Sequence, residues 1–383
     1  MFRCLLRRTF SCTVNLETPS TINNQKNSKK NFLDAINLTM PVLGMKKQQV
    51  EAELKSLGEE LRSCGMYPET EKFVKAGLQD FRLNLVKSVL SDSAKINQMS
   101  QYILQTPSKL FRPSLSLLTH RLLQPSNNDI RRLIELCKSY ELIHIGTLIH
   151  DDILDDSAMR RKAETLHLKF QIKSSVLVGD FLLAKSAKIA ASLDSVSVIQ
   201  RLSETLKDLI EGEMFNVDLS EDMCKDYFKK IYMKTASLIA NNMASVPIIY
   251  TVDMDDGLVD LFHLIGVHIG MAFQICDDLL DYTSTVDDAG KPLLSDLKSG
   301  LFTLPLICTI YKDNTMNRSI INLVKDGSYG EVLKIMNNND EYINQCKLSI
   351  YYHLYQIKLL LKEFDPIHYH SLINYVYNVV DRS

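Results

Sequence analysis

Two long apolar stretches of this chain end in the same acidic spacing, and that repetition constrains the fold more than any other feature. Residues 140–161 read YELIHIGTLIHDDILDDSAMRR, with Asp151, Asp152 and Asp155 at i, i+1 and i+4. Residues 274–281 read QICDDLLD, which puts Asp277, Asp278 and Asp281 at the same spacing 126 residues later. At about 3.6 residues per turn, Asp151 and Asp155 project from one helix face a turn apart, and His144 falls close to that face. Stacked carboxylates repel unless a cation lies between them, and a hard, oxygen-preferring divalent ion suits such a place. A lone doublet is more often a solvated helix end. Two of them on apolar helices predict the facing walls of one metal-filled cavity.

Composition supports a helical reading. The chain has 383 residues, 45% of them hydrophobic, with 14 Gly and 10 Pro, too few for a fold of many turns. That length can bury a large core. A net charge of −2 gives nucleic acid no basic surface to recognise. No apolar run reaches the roughly 18 uncharged residues of a membrane span. The cysteines (Cys4, Cys12, Cys64, Cys137, Cys224, Cys276, Cys308 and Cys346) are scattered without a CxxC pair, as expected of reduced thiols.

Met1 to Val14 carries Arg3, Arg7 and Arg8 between Phe2, Leu5, Leu6 and Phe10, and Glu17 is the first acid. That pattern predicts a mitochondrial presequence and a matrix location. Residues 17–45 are rich in Asn, Ser, Thr and Lys without periodicity, so 1–45 read as presequence and disordered linker. Residues 46–70 read as a short helical extension, including a charged helix over 48–63. From residue 71 to 383 apolar residues recur at three- and four-residue steps, starting with Phe73, Val74, Leu78, Phe81 and Leu85. Asn127, Asn128 and Asp129 offer caps to the helix leading into Asp151. Further helices are predicted over 174–193, 199–212, 224–242 and 258–282, and in the tail over 332–336, 350–361 and 372–380. The fold class is all-α, a helical bundle around a central cavity.

Cationic residues accompany the acids. Lys109 and Arg112 lie in SKLFRP, Arg160 and Arg161 follow the first acidic motif, Lys234-Thr235 lies in a predicted helix, and Lys291 follows Gly290. Singly each reads as surface charge. Together they suit phosphorylated substrates held beside metals, because guanidinium and ammonium groups bind phosphate well.

With these residues in view, the chain resembles the all-trans polyprenyl diphosphate synthases from about residue 75 onward, including the long-chain members that make octaprenyl, solanesyl and decaprenyl diphosphates. LIHDDILDDSAMRR and MAFQICDDLLDYTS resemble the family's two aspartate motifs. VLVGDFLLAKS, MKTASLI and GKPLLSDLKSGLFTLPLI match further segments in order. The resemblance implies a transferase that adds isopentenyl diphosphate units head-to-tail to an allylic diphosphate, using two to three Mg2+ ions. It implies Asp151, Asp155 and Asp277 as metal ligands, with Asp152, Asp278 and Asp281 completing the catalytic motifs. Lys109, Arg112, His144 and Arg161 match the isopentenyl diphosphate site. Arg160, Lys234, Thr235, Gln274 and Lys291 match the allylic diphosphate site.

There are departures. Pro107-Ser108 stands where the family has Gly-Gly, which predicts a stiffer loop before Lys109. Leu301 replaces a Lys common in short-chain members, and Asp156 is an extra acid expected to be solvated. Gly146 and Thr147, one turn below Asp151, replace aromatic rings of short-chain relatives. An open tunnel past Gly146 predicts a long product suited to a ubiquinone tail, and Tyr140 is a candidate for a deeper floor. A homodimer is expected, a heteromer is the alternative, and product release implies peripheral membrane contact without a membrane span. A partner subunit without activity would lack some of the six aspartates. A class I terpene cyclase would lack QICDDLLD and KLFRP, and an EF-hand scaffold would need alternating loop ligands and a glycine.

Overall fold

A computed structural model describes residue 59 and residues 65–125, 129–161, 163–250, 256–283, 295–312, 315–338 and 341–380. The presequence, the linker, nearly all of the extension, and Lys291 lie outside the described residues. The elements are α1 (Pro68–Ser88), α2 (Ala94–Gln105), α3 (Phe111–Leu123), α4 (Arg131–Leu154), α5 (Leu166–Phe170), α6 (Ile172–Ala191), α7 (Val196–Met214), α8 (Met223–Ile231), α9 (Ser237–Tyr250) and α10 (Asp256–Thr283). There follow α11 (Ser295–Lys298), α12 (Leu304–Ile310), α13 (Arg318–Lys325), α14 (Tyr329–Asn337), α15 (Glu341–Leu360) and α16 (Pro366–Val380). Strand structure among the described residues is limited to two-residue antiparallel ladders. Met159–Arg160 pairs with Ala163–Glu164, and Tyr311–Lys312 with Thr315–Met316.

The helix α10 is the centre of the bundle, packed between α9 and α15. It buries Val259, Phe262, Ile265, Ile269 and Ile275. By length and composition it could cross a membrane, but 67% of its most apolar window is buried, as in a core helix. Its partners come unusually close because two of its contact positions are glycine. A Cβ on Gly266 would stand 2.5 Å from the Ala240 Cα, and one on Gly270 would collide with the Ala236 backbone. Gln274 continues that face, at i, i+4 and i+8, and so arrives beside the start of α9.

The predicted helix over 224–242 is interrupted. Between α8 and α9 a π-turn, Tyr232–Ala236, takes up one extra residue and re-aims the side chains it carries. The first acidic helix, α4, is tethered at its start by Asp129, whose carboxylate accepts from the Arg131 backbone N–H at 3.0 Å. It packs along α6, through Gly146 and Gly179. Cys137, Cys224, Cys276, Cys308 and Cys346 are all buried.

Candidate active site

A cavity of about 740 Å³ opens between α3, α4, α7, the π-turn and α10. Asp151 and Asp155 reach it from α4 and Asp277 reaches it from α10, so the two acidic motifs line one space. Lys109, Arg112, His144, Thr147, Arg160, Arg161, Lys234, Thr235 and Gln274 line the same space.

The two Asp-Asp doublets are divided alike. Consecutive helical residues point about 100° apart, so only one of each pair can face the cavity. Asp152, 3% exposed, turns back and accepts from Arg160 Nε at 2.7 Å. Asp278, 4% exposed, accepts from the Tyr227 hydroxyl at 2.6 Å and from Gln274 Nε2 at 2.8 Å. Burial raises the Asp278 carboxyl to about 7, against the pull of those donors. Gln274 Oε1 in turn accepts from Thr235 Oγ1 at 2.6 Å. This chain ties the π-turn to the second acidic helix. Asp281 accepts from the Asp296 N–H at 3.2 Å, bringing in α11. Asp151 keeps its carboxylate on the cavity, where burial pushes it up to about 6, with Lys234 opposing and Glu213 and Asp155 adding to the rise.

The opposite end of the cavity is cationic. Leu110 adopts a left-handed φ of 49° just before α3, and its N–H donates to Ser108 Oγ at 3.3 Å. That turn brings Lys109 to the rim and Arg112 inside. Burial lowers Arg112 to about 10, while Glu141 and Asp277 support its charge and Arg161 opposes it. Burial, and then the charges of Arg112, Arg161 and Arg160, hold His144 well below its usual range, so it is neutral at pH 7.

Sequence reasoning missed three polar residues here. Glu213, at the end of α7, binds Lys234 at 2.7 Å. Glu141, 3% exposed, lies beside Arg112 and Arg161, and its Oε2 has no hydrogen-bond partner. His150 fills the space left by Gly179, whose Cβ it would overlap. The signals were present, since Glu141 precedes His144 by one turn and Glu213 follows a glycine at a helix end.

Two of the chain-length candidates, Gly146 and Tyr140, sit in packed contacts. A Cβ on Gly146 would meet the Gly179 carbonyl oxygen and Leu183 Cδ2, each at 3.1 Å, so this glycine lies at the α4–α6 contact. Tyr140 is fully buried, hydrogen-bonded to Ser245 Oγ at 2.8 Å, and is not among the lining residues. Thr147 does line the cavity. Asp156 is exposed with φ 48°, as a solvated extra acid should be.

A helical bundle whose inner cavity sets aspartates on two walls against arginines and lysines defines an all-α class of protein suited to an anionic substrate held beside metal ions. Residues 93–338 match the Polyprenyl synthetase family. The chain is 36% identical to a prenyl transferase of Cyanophora paradoxa over 61% of its own length and 72% of the relative's. It is 32% identical to the chloroplastic solanesyl diphosphate synthase 2 of Arabidopsis thaliana over 68% of the chain and 64% of that relative. Among solved structures, heptaprenyl diphosphate synthase from Staphylococcus aureus matches with a TM-score of 0.73 and 27% identity, covering 81% of this chain and 98% of that one. A polyprenyl synthase from Caulobacter crescentus complexed with calcium and isoprenyl diphosphate shares the fold, with a TM-score of 0.72, 23% identity, and coverage of 84% and 99%. The chain belongs to the polyprenyl synthetase family. It is a prenyl transferase of the polyprenyl diphosphate synthase kind, a family that uses divalent metal and isoprenyl diphosphate substrates.

Proposed function

We propose that this enzyme extends an allylic diphosphate by successive additions of isopentenyl diphosphate, giving a long all-trans polyprenyl diphosphate for a ubiquinone side chain. The observation that carries this reading is the single cavity lined by Asp151, Asp155 and Asp277 together with Arg112, His144, Arg161 and Lys234. The similarity to solanesyl and heptaprenyl diphosphate synthases supports a long product. Incubating the protein with Mg2+, isopentenyl diphosphate and farnesyl diphosphate, then sizing products by mass, tests it. Products of C35 or longer are expected, and a product that stops at C20 would overturn the long-chain assignment.

The residues fit magnesium. Their cavity-facing donors are hard carboxylate oxygens, on two walls. No three His, Cys, Asp or Glu side chains among the described residues converge as a ready-made metal cluster. Asp151, Asp155 and Asp277 would hold two or three Mg2+ ions, which would supply positive charge against the departing pyrophosphate.

The chain's own groups do the rest. Lys234 and Thr235 hold the allylic diphosphate, with Gln274 fixing Thr235 in place. Lys109, Arg112 and Arg161 grip the diphosphate of isopentenyl diphosphate, and neutral His144 offers it a hydrogen bond without adding charge. Leu148, Leu209, Leu238 and Phe273 line the cavity and keep water from an allylic cation. Cleavage of the allylic C–O bond releases pyrophosphate and leaves that cation, the isopentenyl double bond attacks it to form the new C–C bond, and the adduct gives up one proton to the released pyrophosphate.

We further propose a homodimer in the mitochondrial matrix. Ile172 and Leu177 of α6 are each 58% exposed, and an interface on this face would cover them. Light scattering of the purified protein reads the mass, and a monomer would refute the assignment. A fluorescent fusion to residues 1–45 reports targeting, and a diffuse signal would refute the matrix location. Peripheral membrane contact would serve release of the apolar product, and vesicle flotation with and without product tests it.

A further inference from the structure

Glu213 and Lys234 form an ion pair at 2.7 Å on the cavity wall, with side chains 26% and 33% exposed. Partial burial screens such a pair less than a surface pair. The backbone enforces the contact. Gly212 lets α7 approach the π-turn so closely that a Cβ would stand 2.8 Å from Met233 Cβ and 2.9 Å from the Lys234 nitrogen. Burial alone would lower Lys234; the Glu213 hydrogen bond and charge, followed by Asp151 and Asp155, outweigh it and hold the ammonium firmly protonated.

The surrounding wall is acidic. Asp151 and Asp155 face it from α4 and Asp277 from α10. Arg160 is bonded to Asp152. Lys230, one turn before Lys234, adds a cation beside it and itself feels Glu213, Asp155 and Asp278. While Glu213 neutralises Lys234, a diphosphate arriving without a cation meets carboxylates first.

We infer that Glu213 is a specificity residue that occupies Lys234 until a divalent cation is present, so the Lys234 side of the cavity accepts a metal–diphosphate complex and rejects the metal-free anion, while Lys109, Arg112 and Arg161 hold the second diphosphate at the opposite end. Lys234 then exchanges one anionic partner for another. This inference rests on the reading of the cavity as a diphosphate site, and its test separates the two.

Inorganic pyrophosphate is titrated calorimetrically into the full-length protein, in Mg2+ and in EDTA, with isopentenyl diphosphate present throughout to fill the end lined by Lys109, Arg112 and Arg161. Wild type binds in Mg2+ and at least about tenfold more weakly in EDTA. Glu213→Gln binds in EDTA at least about tenfold tighter than wild type does, the effect of removing one competing charge a few ångströms away. Glu213→Asp keeps the metal requirement. Adding Lys234→Met to Glu213→Gln abolishes the gain. A disrupted fold cannot raise affinity, and Glu213→Ala gives the same readout should the Gln variant be unstable. The inference is overturned if removing the Glu213 charge leaves metal-free binding at the wild-type level, or if the gain survives loss of Lys234. Failure of wild type to bind pyrophosphate even in Mg2+ would instead overturn the reading of the cavity.

Discussion

Arg160 Nε donates to Asp152 Oδ1 at 2.7 Å, and this pair splits the first acidic doublet into two tasks. Asp151 faces the cavity, while Asp152 anchors the short ladder after α4 and so holds the arginines near the site. The second doublet repeats the division, with Asp277 on the cavity and Asp278 held by Tyr227 and Gln274.

The two positions of the first doublet should therefore respond differently to Asn. Asp152→Asn removes the charge opposite Arg160 and should cost about 2 kcal/mol of stability, less than a fully buried pair because Arg160 keeps contact with water. Asp151→Asn should leave stability equal or higher, because the wild-type carboxylate is desolvated, yet lower turnover by about 100-fold or more. Thermal melts beside turnover assays distinguish these patterns. Equal destabilisation by both variants would count against the division.

Tyr227→Phe keeps the ring and deletes the donor to buried Asp278. An unsatisfied acceptor there should cost about 1–3 kcal/mol. Turnover should fall as well, because Asp277 sits on the turn that this bond steadies. Urea denaturation and steady-state kinetics on one preparation test both effects.

Product length should follow the side chains that line the cavity. Thr147→Phe should shorten the product. Gly146→Phe should chiefly destabilise the protein, since the ring would press on the Gly179 carbonyl and Leu183 at the α4–α6 contact. Mass analysis of products with a melting curve for each variant decides. A stable Gly146→Phe enzyme making short chains would instead support a product tunnel past that glycine.

His268 and His353 share a hydrogen bond between their Nδ1 atoms at 2.9 Å, fully inside the core. Burial lowers His268 to about 4. Its folded value lies below the unfolded value of about 6.5, so its contribution to stability is complete above that value and is lost as pH falls toward 4. Asp151 and Asp278, raised to about 6 and 7, act in the opposite sense across part of this window. The difference between wild type and His268→Asn isolates the histidine. Urea melts should show that gap narrowing by about 2 kcal/mol from pH 7 to pH 5, and a constant gap would contradict a neutral buried His268.

The aspartates were legible in the sequence because their chemistry depends on a local spacing that a helix preserves. The cations next to them were legible through resemblance. The direction in which Gly146 faces was not legible, because periodicity identifies a helix face without saying which neighbour packs on it. Helical spacing likewise could not show the π-turn, one extra residue between α8 and α9 that aims Lys234 and Thr235. Glu213 and Glu141 were missed for a related reason: their partners, Lys234 and Arg112, are distant in sequence, and burial gives these glutamates their importance.

Asp151 and Asp277 serve one site. Turnover of isopentenyl and farnesyl diphosphates across a Mg2+ titration should be compared for Asp151→Asn, Asp277→Asn and the double variant. Each single change should raise the Mg2+ requirement and lower turnover by about 100-fold or more, and the double variant should be little worse than either, as groups acting as a unit behave. Wild-type Mg2+ dependence in either single variant, or a double loss equal to the product of the two single losses, would contradict it.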